Sequence, residues 1–174
     1  MVESLLARAR CSGARDAGEL LQSYPDRYHE RLGRRSAAKL GLSARAPAVI
    51  GLYDDLLVLM QQHRVDFTGA WRRLSAVVRG DETPFRSLFA SAEGDGGELD
   101  AWLGRFNAAH EGESRDASEV ATDMDAVNPI YVPRNHLVEA ALTAATAGDL
   151  APFEELGAVL ADPFAERDGL ERFA

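Results

Sequence analysis

The sequence lacks several features that would place it in common classes of protein. Its single cysteine, Cys11, excludes an intrachain disulfide and fits a reducing compartment. No apolar run approaches the roughly 20 residues that a membrane-spanning helix needs. The N-terminal residues contain no apolar stretch typical of a secretory signal. We therefore expect a cytoplasmic protein with no membrane partner.

The chain also lacks the excess of positive charge that is typical of nucleic-acid-binding proteins. Its formal net charge is −9, which predicts that nucleic acid is not a partner. The charge is unevenly distributed, because residues 1–45 contain nine basic and five acidic side chains while the remainder is strongly acidic. The basic part is either a solvated helix face, which we favour, or a contact surface for an acidic partner.

What the sequence does contain is typical of a helical globular protein. Hydrophobic residues make up 46% and charged residues 27% of its 174 residues, enough for one domain with a buried core. Apolar side chains recur at helical spacing, and no alternating strand pattern occurs. We predict an all-α fold, an irregular array of about seven or eight helices. The clearest example has apolar positions at Val49, Ile50, Tyr53, Leu56, Leu57 and Met60.

Prolines, glycines and capping residues predict where these helices begin and end. The predicted starts are Pro25, Pro47, Asp66 or Thr68, Thr83–Pro84, Pro133 and Asp149. The predicted ends are Gly41, Gly80, Gly148 and Pro163.

We predict that residues 1–174 form a single helical domain, because its loops are too short to separate independent domains. Its parts are basic N-terminal helices (1–45), central helices (46–92), a loop-rich part with one helix (93–118) and the last helices (119–174).

No recognised catalytic arrangement is apparent. Gly94–Gly97 lacks the spacing of phosphate-binding loops, and no predicted strand precedes it. Asp66–Thr68 begins like the metal-binding Asp-Phe-Gly of kinases, but its threonine and the helical pattern that follows favour a helix cap. His136 and Glu139 have a spacing that can hold a metal, yet no second ligand pair accompanies them. We therefore predict no catalytic, nucleotide-binding or metal-binding residue in this chain.

One segment, Asn128–Asn135, is not explained by composition. Pro129 and Pro133 favour an extended backbone, and Arg134, Asn135 and His136 are predicted to lie in the first turn of the next helix. We favour a rigid, hydrogen-bonded corner between helices; contact with a ligand is the alternative.

Residues 128–139 resemble the signature near the C-terminus of the selenoprotein O (YdiU) family. The matching positions, which we expect to have structural roles, are Asn128, Pro129, Tyr131, Pro133, Arg134, Asn135, His136 and Glu139. Further segments resemble family motifs in the same order. They are Lys39–Leu42, Asp54–Met60, Asp66–Thr68 with Trp71–Leu74, Trp102–Phe106, Ala144–Leu150 and Asp162–Phe164.

The resemblance implies a kinase-like protein, formally a pseudokinase, that transfers AMP from ATP to hydroxyl side chains of proteins with a divalent metal such as Mg²⁺. It places the catalytic residues in a kinase-like core upstream of the segment resembled here, and none of them matches a position in this sequence. ATP and Mg²⁺ are thus implied for the full-length family and not for this chain. Some members carry a reactive cysteine or selenocysteine near the C-terminus; Phe173–Ala174 has neither, so we expect no redox role there.

We therefore expect a C-terminal helical region of a protein adenylyltransferase that is inactive without its core. It would pack on that core in the same chain or as a split partner, and would reach protein substrates through it. The alternatives are a stand-alone helical protein-interaction module and a small enzyme that uses His136 and Glu139. A split gene, a truncation and a defined part of a longer protein are all compatible with the first expectation.

Overall fold

The computed structural model describes the backbone of residues 2–42, 47–90 and 97–174, and the side chains of residues 21–42, 49–90 and 97–174. Within that part the chain forms eight α-helices and two short 3₁₀ helices, and no strand. The predicted all-α array is confirmed. The α-helices are α1 (Val2–Leu40), α2 (Pro47–Gln62), α3 (Phe67–Val78), α4 (Thr83–Arg86), α5 (Gly97–Glu111), α6 (Ala117–Val127), α7 (Asn135–Thr146) and α8 (Ala151–Leu160). The 3₁₀ helices are Ser87–Phe89 and Glu171–Phe173.

Helix α1 corrects one predicted boundary. Pro25 was expected to open a helix, but it lies inside α1. Proline removes one helical hydrogen bond and displaces the carbonyl four residues earlier, here that of Leu21. Residues 24–31 are exposed, so water is available to the displaced carbonyl and the helix continues through the proline.

Helix α3 begins and ends where the sequence predicts. Asp66 is its N-cap, and its carboxylate accepts a 2.6 Å hydrogen bond from the backbone N–H of Gly69. Gly80 follows the last turn with φ of 92°, a left-handed conformation that favours glycine. The helix buries Trp71 and Leu74 on one face, which fixes its orientation against the core.

The starts of α4, α7 and α8 each differ from the prediction by one or two residues. Thr83 is the first residue of α4 rather than its cap. Helix α7 begins at Asn135, because Arg134 keeps an extended backbone (ψ 132°) and Pro133 lies before it. Leu150 precedes α8 as N-cap, although the Asp149 carboxylate accepts a hydrogen bond from Ala151 N at 3.0 Å. Gly148 ends α7 with φ of 92°, as predicted.

Two hydrophobic clusters hold these helices. The larger lies among α1–α6 and includes the fully buried Trp71, Phe85, Trp102 and Phe106. The smaller lies between α7, α8 and the C-terminal residues and consists of Ile130, Tyr131, Ala141, Leu156, Val159 and Phe173. The segment resembling the family signature connects the two clusters, since it runs from the end of α6 to the start of α7.

Two further sequence expectations concern loops and membranes. The glycine cluster at 94–97, in the part predicted to be rich in loops, lies outside the described residues except for Gly97, which begins α5. Among the described helices, none combines the length and the apolarity that crossing a bilayer requires.

Candidate functional site

The C-terminal end of α1 is where several of the motif-like segments meet. The last four carbonyls of an α-helix have no partner within the helix, and at this end all four have one. Two are satisfied by the backbone, since Leu42 N donates to Ala37 O at 2.9 Å and Gly41 N donates to Ala38 O at 3.2 Å. This is the Schellman arrangement, in which glycine adopts a left-handed conformation; φ of Gly41 is 72°.

The third carbonyl, that of Lys39, is bound by a side chain of the signature segment. Asn128 is fully buried, and its Nδ2 donates to Lys39 O at 3.1 Å. Its Oδ1 accepts a 2.9 Å hydrogen bond from Lys39 Nζ. One amide therefore satisfies both polar groups of a residue 89 positions away and ties the end of α6 to the end of α1.

The fourth carbonyl, that of Leu40, is bound by His110 from the end of α5. The distance from His110 Nε2 to Leu40 O is 2.9 Å, which requires the proton on Nε2. Burial lowers the pKa of His110, and the bond to the carbonyl opposes that effect. The ring also packs 4.5 Å from the Phe106 ring, centroid to centroid. His110 is thus a half-buried side-chain cap for the end of α1.

Gly41 also permits α6 to approach the end of α1 closely. A Cβ placed on Gly41 would lie 2.6 Å from Met124 Sδ and 2.8 Å from Val120 Cγ1. No side chain fits at this distance, so the glycine serves both the left-handed turn and the packing of α6.

Lys39, the only lysine of the sequence, lies in an aromatic environment. Its Nζ lies 5.1 Å from the centroid of the Trp71 ring and 6.0 Å from that of Phe67. Cation–π attraction and the Asn128 oxygen stabilise the ammonium, whereas burial lowers its pKa. Within the described part of the chain Lys39 forms no ion pair, so its charge is held by aromatic faces and one amide.

A second link joins the signature segment to α3. Arg134 Nη1 lies 2.9 Å from Asp66 Oδ2, and Arg134 Nη2 lies 3.3 Å from Asp66 Oδ1. The hydrogen bond from Arg134 holds the pKa of Asp66 below its usual range, with the N–H of Gly69 adding to it. Asp66 therefore caps α3 and fixes the residue before α7 at the same time.

Tyr131 anchors the signature segment to the C-terminal residues. Its buried hydroxyl accepts a hydrogen bond from Arg167 N at 3.0 Å, and the Arg167 guanidinium lies 5.2 Å from the ring centroid. The backbone N–H groups of Ile130 and Tyr131 both donate to Pro163 O, at 2.8 and 3.2 Å. The segment is thus held on both sides, by α1 and α3 before it and by residues 163–167 after it.

The remaining signature residues take part in none of the contacts described above. Asn135, His136 and Glu139 are exposed on the first turns of α7, Pro133 is exposed and Pro129 is half-buried. Among the residues the structure describes, no group of three or more possible metal ligands lies together. The structure therefore divides the signature into a part that binds α1, α3 and residues 163–167, and a more exposed part that includes the first turns of α7.

A cleft of about 620 Å³ opens between α3, the signature segment and the C-terminal residues. Its charged lining consists of four arginines and four carboxylates, with His136 at the side. Arg134 is paired with Asp66 within it, and Arg167 donates to the carbonyls of Val159 and Asp162. The lining therefore contains equal numbers of basic and acidic side chains.

The sequence did not reveal the roles of two side chains at the end of α1, His110 and Lys39. His110 belongs to none of the motifs found in the sequence, although its position four residues after Phe106 places it on the side of α5 that faces the core. Lys39 was assigned to a motif without a role, since nothing local indicates that its partner lies beyond α6.

Comparisons with known proteins agree with the segments found at this site. A sequence profile described as "Protein adenylyltransferase SelO" matches residues 10–161. Protein nucleotidyltransferase YdiU of Mycobacterium sp. (strain KMS) is 44% identical over 161 residues, which are 91% of this chain and 31% of that protein.

Other relatives give a similar result. Protein nucleotidyltransferase YdiU of Rhodococcus jostii (strain RHA1) is 41% identical over 149 residues, 86% of this chain and 28% of that protein. The protein of the same name from Chromobacterium violaceum is 39% identical over 159 residues, 91% of this chain and 32% of that protein. The chain thus spans about a third of the length of the curated relatives it matches. Since the profile covers far more than half of its residues, the chain belongs to the SelO (YdiU) family of protein nucleotidyltransferases.

Proposed function

We propose that this chain is the helical supporting region of a protein adenylyltransferase, and that it has no catalytic activity without the kinase-like, pseudokinase core of such an enzyme. The proposed reaction is transfer of AMP from ATP to hydroxyl groups of proteins, with Mg²⁺ and ATP bound by the core. The observation that carries the proposal is the pairing of motif residues with one another. Lys39 is bound to Asn128 and Asp66 to Arg134, so these side chains hold helices together.

The environment of Lys39 also supports a structural role for this chain. A lysine that binds nucleotide phosphates needs an ammonium that reaches the ligand as a point charge. Lys39 is the only lysine, and its ammonium lies against Trp71 and Asn128. We propose that it acts as a structural cation and that the phosphate-binding lysine belongs to the core.

The length of the relatives gives the third argument. The match covers 31% of the Mycobacterium relative, so most of that protein lies outside the region described here. A nucleotidyltransferase site needs preorganised charge around phosphates and metal, and the balanced cleft beside Arg134 does not supply it. We propose that the core lies in the unmatched part, in the same chain or as a separate partner, and that the protein works in the cytoplasm.

The test is incorporation of radiolabelled AMP from ATP and Mg²⁺ into a hydroxyl-bearing acceptor protein. The 174-residue chain alone is expected to give no incorporation. A full-length chimera, in which this chain replaces the matching residues of the Mycobacterium relative, is expected to give it. AMP transfer by the isolated chain that disappears in His136→Ala would contradict the proposal and favour the small enzyme considered from the sequence.

A stand-alone interaction module is the second candidate, and the exposed aromatic side chains of α1 favour it. Tyr24 and Tyr28 are both well exposed, as expected of a contact surface. An active chimera would support the enzyme region. A folded but inactive chimera, together with binding to a protein other than a nucleotidyltransferase, would support the module.

A further inference from the structure

In the part of α1 whose side chains the structure describes, residues 36–40 form an anchored end and residues 21–31 form a projecting segment. From Ser36 onward it packs on the body, with Ser36, Ala37 and Leu40 buried. Of residues 21–31, all are exposed except Ser23, which is half-buried. Isolated helices gain little stability from propensity alone and depend on packing of an apolar face, so the projecting segment has a face that is expected to be covered.

That face is apolar and aromatic. Leu21, Tyr24 and Tyr28 follow one another at spacings of three and four residues, which places them on one side of a helix, and they are 74%, 63% and 50% exposed. The two tyrosine rings stack with centroids 6.1 Å apart. With Arg27 and Arg31 they line a groove of about 420 Å³. We call these five residues the α1 face.

The charges of the α1 face indicate the chemistry of its partner. Among the described residues, Arg27 and Arg31 take part in no ion pair, whereas Arg34 of the next turn is paired with Glu30. Tyrosine and arginine are enriched among the residues that dominate protein interfaces. Two guanidinium groups with no carboxylate partner among the described side chains, beside an apolar stripe, fit a protein surface that offers apolar pockets edged by carboxylates.

We propose that the α1 face binds an acidic surface on the part of the nucleotidyltransferase that lies outside this chain. The inference rests on the proposed function and deepens it by naming the surface. The α1 face lies inside residues 10–161, which match the family profile. A full-length relative therefore has a corresponding segment, to which the rest of the chain is covalently linked at a high effective concentration.

A second copy of this chain fits the α1 face less well. A two-fold dimer uses the same patch on both subunits, so it would bring Arg27 and Arg31 towards their own copies. Like charges across an interface are destabilising. An acidic surface on another part of the enzyme places opposite charges together instead.

The test uses the full-length chimera with the photo-crosslinking amino acid p-benzoyl-phenylalanine in place of Tyr24. The matched control carries it in place of Phe153 on α8, an aromatic residue that is 52% exposed, against 63% for Tyr24. Mass spectrometry is expected to locate the Tyr24 crosslink in a peptide outside the matched region and to find none there from position 153. Arg27→Glu with Arg31→Glu is expected to lower the crosslink yield at least about tenfold, whereas Arg64→Glu leaves it unchanged.

Activity and crosslinking separate the two proposals. An active chimera without a crosslink from position 24 to the unmatched part overturns the inference and leaves the proposed function standing. A folded, crosslinked chimera that transfers no AMP supports the surface and contradicts the proposed function. A chimera that does not fold is replaced by the natural Mycobacterium relative, with the crosslinker at the position aligned with Tyr24 and the same expectations. Dimers of the 174-residue chain in light scattering that are abolished by Tyr24→Ser would overturn the inference in favour of a second copy.

Discussion

Asn128 and Lys39 hydrogen-bond each other in both directions. The lysine ammonium donates to the amide oxygen at 2.9 Å, and the amide nitrogen donates to the lysine carbonyl at 3.1 Å. One buried side chain thereby binds a carbonyl at the C-terminal end of α1. It also accepts a hydrogen bond from the lysine ammonium that lies against Trp71. The relationship joins two segments that each resemble a family motif.

Removal of this amide is expected to destabilise the fold. Asn128→Ala leaves the Lys39 carbonyl and ammonium without their partner in a buried place, which costs about 2–4 kcal/mol in the free energy of unfolding. Urea unfolding followed by circular dichroism measures it. Asn135→Ala, at an exposed asparagine of α7, is the control and should change stability by less than about 0.5 kcal/mol. Equal effects of the two substitutions would show that the Asn128 bonds do not stabilise the fold.

A substitution at Gly41 tests the close approach of α6. Gly41→Ala combines a left-handed backbone, costing about 1–2 kcal/mol, with the clash against Met124 and Val120, which adds about 1–3 kcal/mol. Gly148→Ala is a matched control, because φ is also positive there and no atom lies within 4 Å of the added Cβ. The difference between the two variants in thermal and urea unfolding measures the clash alone. If the two substitutions lower the free energy of unfolding equally, the close approach of α6 to Gly41 contributes nothing to stability.

Asp66 is expected to stabilise the fold in two ways that can be separated, as the cap of α3 and as the partner of Arg134. Asp66→Asn keeps an oxygen that can cap α3 and loses the ion pair with Arg134; because that pair is partly exposed, the loss should be below about 1 kcal/mol. Asp66→Ala loses the cap as well, for a total of about 1–2 kcal/mol. Asp116→Ala removes the cap of α6, which accepts from Ser118 N and Glu119 N, and gives the effect of a cap alone. If Asp66→Asn is as destabilising as Asp66→Ala in urea unfolding, the ion pair and not the cap dominates.

The lowered pKa of Lys39 predicts that the free energy of unfolding depends on pH in the alkaline range. Burial lowers its pKa in the folded state from the ordinary value of 10.5, so between the folded and unfolded pKa values the unfolded chain binds more protons. Stability contributed by this group therefore rises with pH as the pH approaches 10.5 from below. Lys39→Met keeps the apolar stem without the ionisable group, and the unfolding free energy of the natural chain relative to this variant should increase over that range. A constant difference between the two would contradict a lowered pKa.

The helix ends that the sequence predicted correctly depend on residues that are close together in the sequence. The Asp66 cap needs only the N–H of Gly69, and the ends at Gly80 and Gly148 need only a left-handed residue. Pro25 was predicted wrongly for the same reason, since local preference gave no sign that α1 continues through an exposed proline.

The contacts that define the site are not local, and sequence reasoning did not find them. Asn128 meets Lys39 across 89 positions, Arg134 meets Asp66 across 68, and His110 meets Leu40 across 70. The pattern indicated that Asn128–Asn135 forms a rigid corner, but the partners depend on how α1, α3 and α5 pack together.

The separation into two hydrophobic clusters predicts that part of the protein unfolds locally before the rest. Six buried residues around α7 and α8 form a small core, and so small a core supplies little cooperative free energy by itself. The α7–α8 hairpin is therefore a candidate foldon, whose amide hydrogens should exchange with solvent through a subglobal opening at lower free energy than those of α3 and α5. Arg134 and Asp66 lie across the boundary between the two units, so their ion pair breaks whenever the hairpin leaves the body and reforms when it returns.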